Sequence, residues 1–149
     1  MPDDTLPRYW TPAFVEKFVE ALNSSTRFQK AARSFSQTIA LRCLDTPDKK
    51  DCVSTYTFVK GRCTEHSFTA EDAPSRGIRD EKFNKRVMMA RTTAPYTVWM
   101  KLDRGEMNVA QALVSPDYNI EGSKLKIMRY ITVFTALGDV ASSVDKRYE

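Results

Sequence analysis

Residues 122–144 place the tightest constraint on what this chain can fold into, being too apolar for an ordinary surface helix and too regular for a loop. Ile131, Thr132, Val133, Phe134 and Thr135 favour a strand by propensity. The polar residues decide otherwise: Lys126, Arg129, Thr132, Thr135 and Asp139 recur every three or four positions and never every two. That spacing predicts a helix over residues 123–137, capped by Ser123 and ending near Gly138. Outside the polar stripe, Ile127, Met128, Tyr130, Ile131, Val133, Phe134, Ala136 and Leu137 form a wide apolar face that has to be buried on most sides. Either the helix plugs a filled core, or one side of it lines a cavity.

The remainder of the chain supplies elements to cover such a helix. Thr11-Pro12 opens a helix whose Phe14, Val15, Phe18, Val19 and Leu22 share one face. Ser25 caps a second, with Phe28, Ala31, Ala32 and Phe35 inward. From Thr38 the period falls to two, with Ile39, Leu41 and Cys43 on one side, and a charged turn over residues 45–51 follows. Residues 53–59 and 62–69 form a hairpin about Lys60-Gly61, with Tyr56 and Phe58 on one face. Residues 70–80 are expected to be a flexible loop, and residues 82–92 a fourth strand. Helical spacing returns with Tyr96, Trp99, Met100 and Leu102, and again after Asn108 with Val109, Ala110, Leu113 and Val114, Gly105 separating the two. Ser115-Pro116-Asp117 turns the chain into a brief strand over residues 118–121. The expected architecture is one α+β domain spanning residues 1–149: helices over 1–34, strands and hairpin over 35–92, helices with a short final strand over 93–149. Its sheet is curved, mixed and mainly antiparallel, with about five strands.

Composition excludes more than it proposes. A chain of 149 residues, 42% hydrophobic and 28% charged, suits one soluble core. No apolar run is long enough to span a membrane, and Met1-Pro2-Asp3-Asp4 lacks a signal-peptide layout, so a cytoplasmic location is expected. Cys43, Cys52 and Cys63 cannot all pair and are read as reduced thiols. The net charge of +4 is spread along the chain; the densest basic group, Arg76, Arg79, Lys82, Lys85 and Arg86, is interrupted by Asp80 and Glu81 and reads as a solvated surface rather than a nucleic-acid site. One histidine, His66, cannot build a multi-histidine metal centre, and Cys43, Cys52, Cys63 and His66 match no common zinc spacing. With five glycines there is no nucleophile elbow, phosphate loop or dinucleotide fingerprint. Glu65 with His66, and Asp103 with Glu106, read as surface charges, so neither catalytic residue, metal nor cofactor is expected.

The run Pro95-Tyr96-Thr97-Val98-Trp99-Met100-Lys101-Leu102-Asp103-Arg104-Gly105-Glu106-Met107-Asn108, then Ala112-Leu113, then Tyr118-Asn119-Ile120-Glu121-Gly122-Ser123, resembles the sterol carrier protein family of small lipid-binding domains. Ser115-Pro116-Asp117 stands where that family usually has a glycine-basic turn. The resemblance implies a curved sheet covered by helices around a hydrophobic tunnel, and non-catalytic binding or transfer of a sterol, fatty acid or other lipid. The expected lining is Trp99, Met100, Leu113, Ile127, Met128, Ile131 and Phe134 from the helices, with Ile39, Leu41, Phe58, Val87 and Met89 from the sheet. Transient contact with a membrane surface goes with that reading. The alternative is an interaction or homodimerisation module using the same apolar helix face.

Overall fold

The computed structural model describes residues 5–149. Helix α1 (Pro12–Ser24) starts where the Thr11 side chain accepts from Phe14 N–H, and it buries Phe14, Val15, Phe18 and Leu22. Helix α2 (Thr26–Ala31) is capped by Ser25 and buries Phe28. Five strands follow among the helices: β1 (Thr38–Leu44), β2 (Lys50–Val59), β3 (Arg62–Asp72), β4 (Ala90–Pro95) and β5 (Asn119–Gly122). They form a single mixed sheet in the order β3-β2-β1-β4-β5. Within it β1 and β4 run parallel, and the other neighbours are antiparallel.

The strands have two different faces. Ile39, Cys43, Tyr56, Phe58 and Ala90 turn into one aromatic-rich core with α1, α2 and the C-terminal helices. On the other face Arg42 and Arg91 are buried, Arg42 donating to Thr93 Oγ1 at 2.8 Å and to the Ile78 carbonyl. Both arginines approach Glu121, at 2.8 Å for Arg91 and 4.0 Å for Arg42.

Residues 70–80 are not the free loop expected from their proline, glycine and charges. Strand β3 continues to Asp72, and Ser75 caps the short helix α3 (Arg76–Arg79) through Ile78 N–H at 3.1 Å. Arg79 then binds Asp51 through Nε at 2.7 Å and Nη2 at 3.0 Å, fastening the segment to β2. The expected strand over residues 82–92 is also corrected, since β4 begins only at Ala90. The Asn84 carbonyl accepts from Val87 and Met88 N–H, and its side chain from Arg86 N–H at 2.9 Å, so residues 84–88 turn away from the sheet.

The turn between β2 and β3 has left-handed φ at Lys60 (50°) and Gly61 (85°), the pattern of a type I′ hairpin. Gly61 packs under the end of α2: its N–H donates to Phe35 O at 2.9 Å, its carbonyl accepts from Gln29 Nε2 at 3.0 Å, and an added Cβ would stand 2.7 Å from Ala32 O. Gly61→Ala therefore combines a disfavoured φ with a clash against backbone, and is expected to cost about 2 kcal/mol; chemical denaturation of the purified variant checks this.

The C-terminal half carries α4 (Tyr96–Asp103), α5 (Val109–Leu113), α6 (Lys124–Arg129) and α7 (Ile131–Ser143). Asn108 and Gln111 form a reciprocal capping box at α5. The closing segment is two helices rather than the single one expected. Ser123 does cap the first, accepting from Lys126 N–H, but Tyr130 leaves helical geometry (φ −105°, ψ 22°). Its ring meets Phe35 edge-on at 5.0 Å between centroids. Gly138 does not end α7, which runs to Ser143 with Val133, Ala136, Leu137 and Val140 buried. Nor is the whole segment buried: α6 has no buried residue, and Leu125 and Met128 are 86% and 62% exposed. No helix among the described residues is long and apolar enough to cross a membrane.

Candidate functional site

Between the sheet and the helices lies a cavity of about 600 Å³. Its floor is Leu41 of β1, Tyr56 of β2, and Ala90 and Thr92 of β4, brought side by side by the register Ile39↔Tyr56, Ile39↔Ala90 and Leu41↔Thr92. Leu41 sits on the central strand and is still only partly buried, because the surface it leaves open faces this space. Phe14, Val15 and Phe18 of α1 wall one side, and Ile131, Phe134 and Leu137 of α7 the other. Helices α4, α5 and α6 contribute Trp99, Leu113, Ile127 and Met128, with Tyr118 and Ile120 from around β5.

The two ends of the cavity differ. Of the exposed wall residues, Leu113, Asn119, Lys124 and Met128 gather around α5 and α6 and make that side the mouth, while Gly138 is exposed on α7. The opposite end is built from buried Tyr9, Trp10, Phe14 and Asp103. There the Tyr9 ring meets Phe14 at 5.0 Å and Tyr148 at 5.6 Å, and Trp10 meets Trp99 at 5.3 Å. The chain closes this end with both of its terminal segments: Tyr9 N–H donates to Arg147 O at 2.7 Å and Arg147 N–H to Pro7 O at 2.9 Å. Trp99 is held upright by its indole N–H, which donates to Arg42 O at 2.9 Å.

The buried charge at the closed end, among the described residues, is an ion pair of Asp103 with Lys146. Lys146 Nζ and Tyr148 Oη each donate to Asp103 Oδ2 at 2.6 Å, and the Asp103 and Lys146 side chains are 1% and 3% exposed. Burial, reinforced by the Asp103 charge, pushes the Tyr9 hydroxyl well above its ordinary pKa. Burial and the hydrogen bond to Asp103 do the same for Tyr148. Both phenols stay neutral at physiological pH.

Of the lining expected from sequence, Leu41, Trp99, Leu113, Ile127, Met128, Ile131 and Phe134 stand around the cavity. Five others do not. Ile39 and Phe58 are packed into the filled core, Phe58 against Phe28 and Phe35 at 5.8 and 5.4 Å. Met89 is buried beside them, its N–H donating to Thr38 O at 2.8 Å, and Met100 packs on the outside of that core. Val87 is 59% exposed, carried out of the sheet by the Asn84 turn. The wall residues not foreseen are chiefly Tyr9, Trp10 and the α1 stripe of Phe14, Val15 and Phe18; the stripe's spacing signalled a buried face but not what it faces.

The groups weighed as chemistry in the sequence are scattered. His66 is exposed on β3, opposite Tyr56 in the register. The three cysteines are buried free thiols, and burial pushes Cys52 and Cys63 up to about 11 and Cys43 higher still. They remain protonated near neutrality, which is unsuited to nucleophilic attack.

No family model matches the sequence, and no curated protein matches it. Solved structures do. A crystal structure of sterol carrier protein 2 superposes with a TM-score of 0.73 at 17% identity, covering 93% of this chain and all of that one. A conserved hypothetical protein of Thermus thermophilus gives 0.71 at 18% identity, covering 94% of this chain and 92% of its own. The apo form of sterol carrier protein 2 from Yarrowia lipolytica gives 0.54 at 9% identity, covering 90% and 92%. The order of elements, the mixed five-stranded sheet and these superpositions together give the chain the sterol carrier protein 2 fold.

Proposed function

We propose that the chain binds an apolar, lipid-like molecule in the cavity and carries it without covalent chemistry. The observation that carries this reading is the cavity itself: about 600 Å³, walled by aromatic and aliphatic side chains and open on one side. That size lies in the range of small-molecule pockets, and each methylene transferred from water into such a space contributes about 0.8 kcal/mol. The fold's likeness to proteins named as sterol carriers supports the same reading. Displacement of a fluorescent fatty acid from the purified protein, with native mass spectrometry for co-purified ligand, tests it; no displacement and no ligand would count decisively against it.

The mouth suits exchange at a membrane. Leu113, Val114, Leu125 and Met128 are 49%, 83%, 86% and 62% exposed, and Lys124, Lys126 and Arg129 stand exposed among them. An apolar patch rimmed by cations fits an anionic bilayer surface. Leu125→Asp combined with Val114→Asp, two exposed positions outside the cavity wall, is expected to slow lipid transfer between anionic vesicles about tenfold or more, while equilibrium affinity for the ligand changes less than about twofold. The same exposed helix also suits a second copy of the chain, in which case sedimentation would find a dimer that the double variant dissolves.

A further inference from the structure

The closed end of the cavity holds two polar atoms that the protein leaves unsatisfied. Trp10 Nε1 and Asp103 Oδ1 are buried without a hydrogen-bond partner, and both residues form part of the cavity wall. Trp10 is 7% exposed and Asp103 6%. Unpaired buried polar atoms are rare in folded proteins, and here a donor and an acceptor occur at one end of the same space. Trp99, in ring contact with Trp10, lies one helical turn before Asp103 on α4, and the Tyr9 ring meets both Trp10 and the Tyr148 ring whose hydroxyl binds Asp103.

The indole N–H of Trp10 lies close enough to the Tyr9 hydroxyl to oppose its upward shift in pKa, yet makes no hydrogen bond of acceptable geometry. The Trp10 backbone is left-handed (φ 59°), a conformation a bulky residue rarely takes, and Cys52 Sγ and the paired terminal segments hold it on either side. Asp103 Oδ1 is left over because Lys146 and Tyr148 both bind Oδ2, and Lys146 donates a further hydrogen bond to Ala141 O at 2.9 Å.

We infer that this end is a head-group subsite for a neutral hydroxyl, which accepts from Trp10 Nε1 and donates to Asp103 Oδ1 while the apolar chain runs toward α5 and α6. The electrostatics select against a carboxylate. Asp103 is already matched by Lys146, so an anionic head would bring a second negative charge against the free Asp103 oxygen while Lys146 stays engaged with the other. A hydroxyl supplies both missing partners and adds no charge. This assignment of ligand class rests on the proposed carrier function.

The test compares a long-chain primary alcohol with the fatty acid of equal chain length, both displacing a fluorescent lipid from the full chain. The alcohol is expected to bind at least about tenfold tighter at neutral pH, the scale of one unpaired buried polar contact. Trp10→Phe keeps an aromatic ring but removes the indole N–H, and is expected to weaken the alcohol about tenfold more than it weakens the alkane of equal length. Asp103→Asn frees the Lys146 charge and is expected to reverse the preference toward the acid; the thermal unfolding of each variant is measured alongside. Equal or tighter acid binding to the natural sequence, or an unchanged alcohol affinity in folded Trp10→Phe, would overturn the subsite while leaving the carrier reading intact. Failure of alcohol, acid and alkane alike to displace the probe would remove the carrier reading and the subsite with it.

Discussion

Replacing Asp51 by alanine is expected to destabilise the fold by about 3 kcal/mol, the lower end of the range for breaking a buried ion pair. Asp51 is fully buried and meets four donors: Arg79 through two nitrogens, Ser75 N–H at 2.8 Å and Asp45 N–H at 3.1 Å. It therefore ties the β1–β2 turn and the α3 segment to one point. The lower end of the range applies because Arg79, 31% exposed, keeps part of its hydration when its partner is lost. Burial pushes the Asp51 carboxyl upward, but the Arg79 guanidinium and the two backbone N–H groups outweigh it and hold its pKa below the ordinary carboxylate value. A lowered folded pKa contributes stability that is complete above the ordinary carboxylate range and is lost as pH falls through the folded value. The gap in unfolding free energy between the natural sequence and Asp51→Asn should thus be largest near neutrality and shrink in acid. Urea titrations at a series of pH values check both the size and the sign.

Leu41→Trp is expected to abolish ligand binding while the protein stays folded. Leu41 lies on the central strand and faces the open space, so the larger ring enters the cavity rather than a packed core, where overpacking would cost about 1–3 kcal/mol. If the indole takes the room of about four methylenes, the ligand loses about 3 kcal/mol, or more than about 100-fold in affinity. Loss of binding with an unfolding midpoint near that of the natural sequence is the expected result. A variant that binds as before would show that the ligand occupies some other surface.

These two residues also show how far the sequence could be read. The alternation from Thr38 to Cys43 put Ile39 and Leu41 on one face, and the structure keeps them there. Which of the two meets empty space depends on where α1 and α7 cross above the strand, and that is decided by packing between residues far apart in the chain. A filled core and a ligand cavity use the same side chains, so the period reveals burial but not what does the burying. Local chemistry was legible: Ser25 and Ser123 cap their helices, and Lys60-Gly61 makes the hairpin turn. Elements set by distant contacts were not. The β-branched run from Ile131 gave no sign of the break at Tyr130, whose ring packs on the distant Phe35, and the apolar pattern near Val87 could not outweigh the turn built by Asn84. Tyr9 and Trp10 went unread because they precede the first helix and have no period, although with Asp103 they shape the closed end of the cavity.

The central claim is that the cavity accepts an apolar chain, and affinity across a homologous series tests it most directly. Displacement titrations with straight-chain lipids of one head group and increasing length should give one site per protein, with affinity rising about fourfold per added methylene until the chain reaches the α5–α6 mouth and then levelling off. Affinity independent of chain length, or binding of many molecules per chain without saturation, would contradict it.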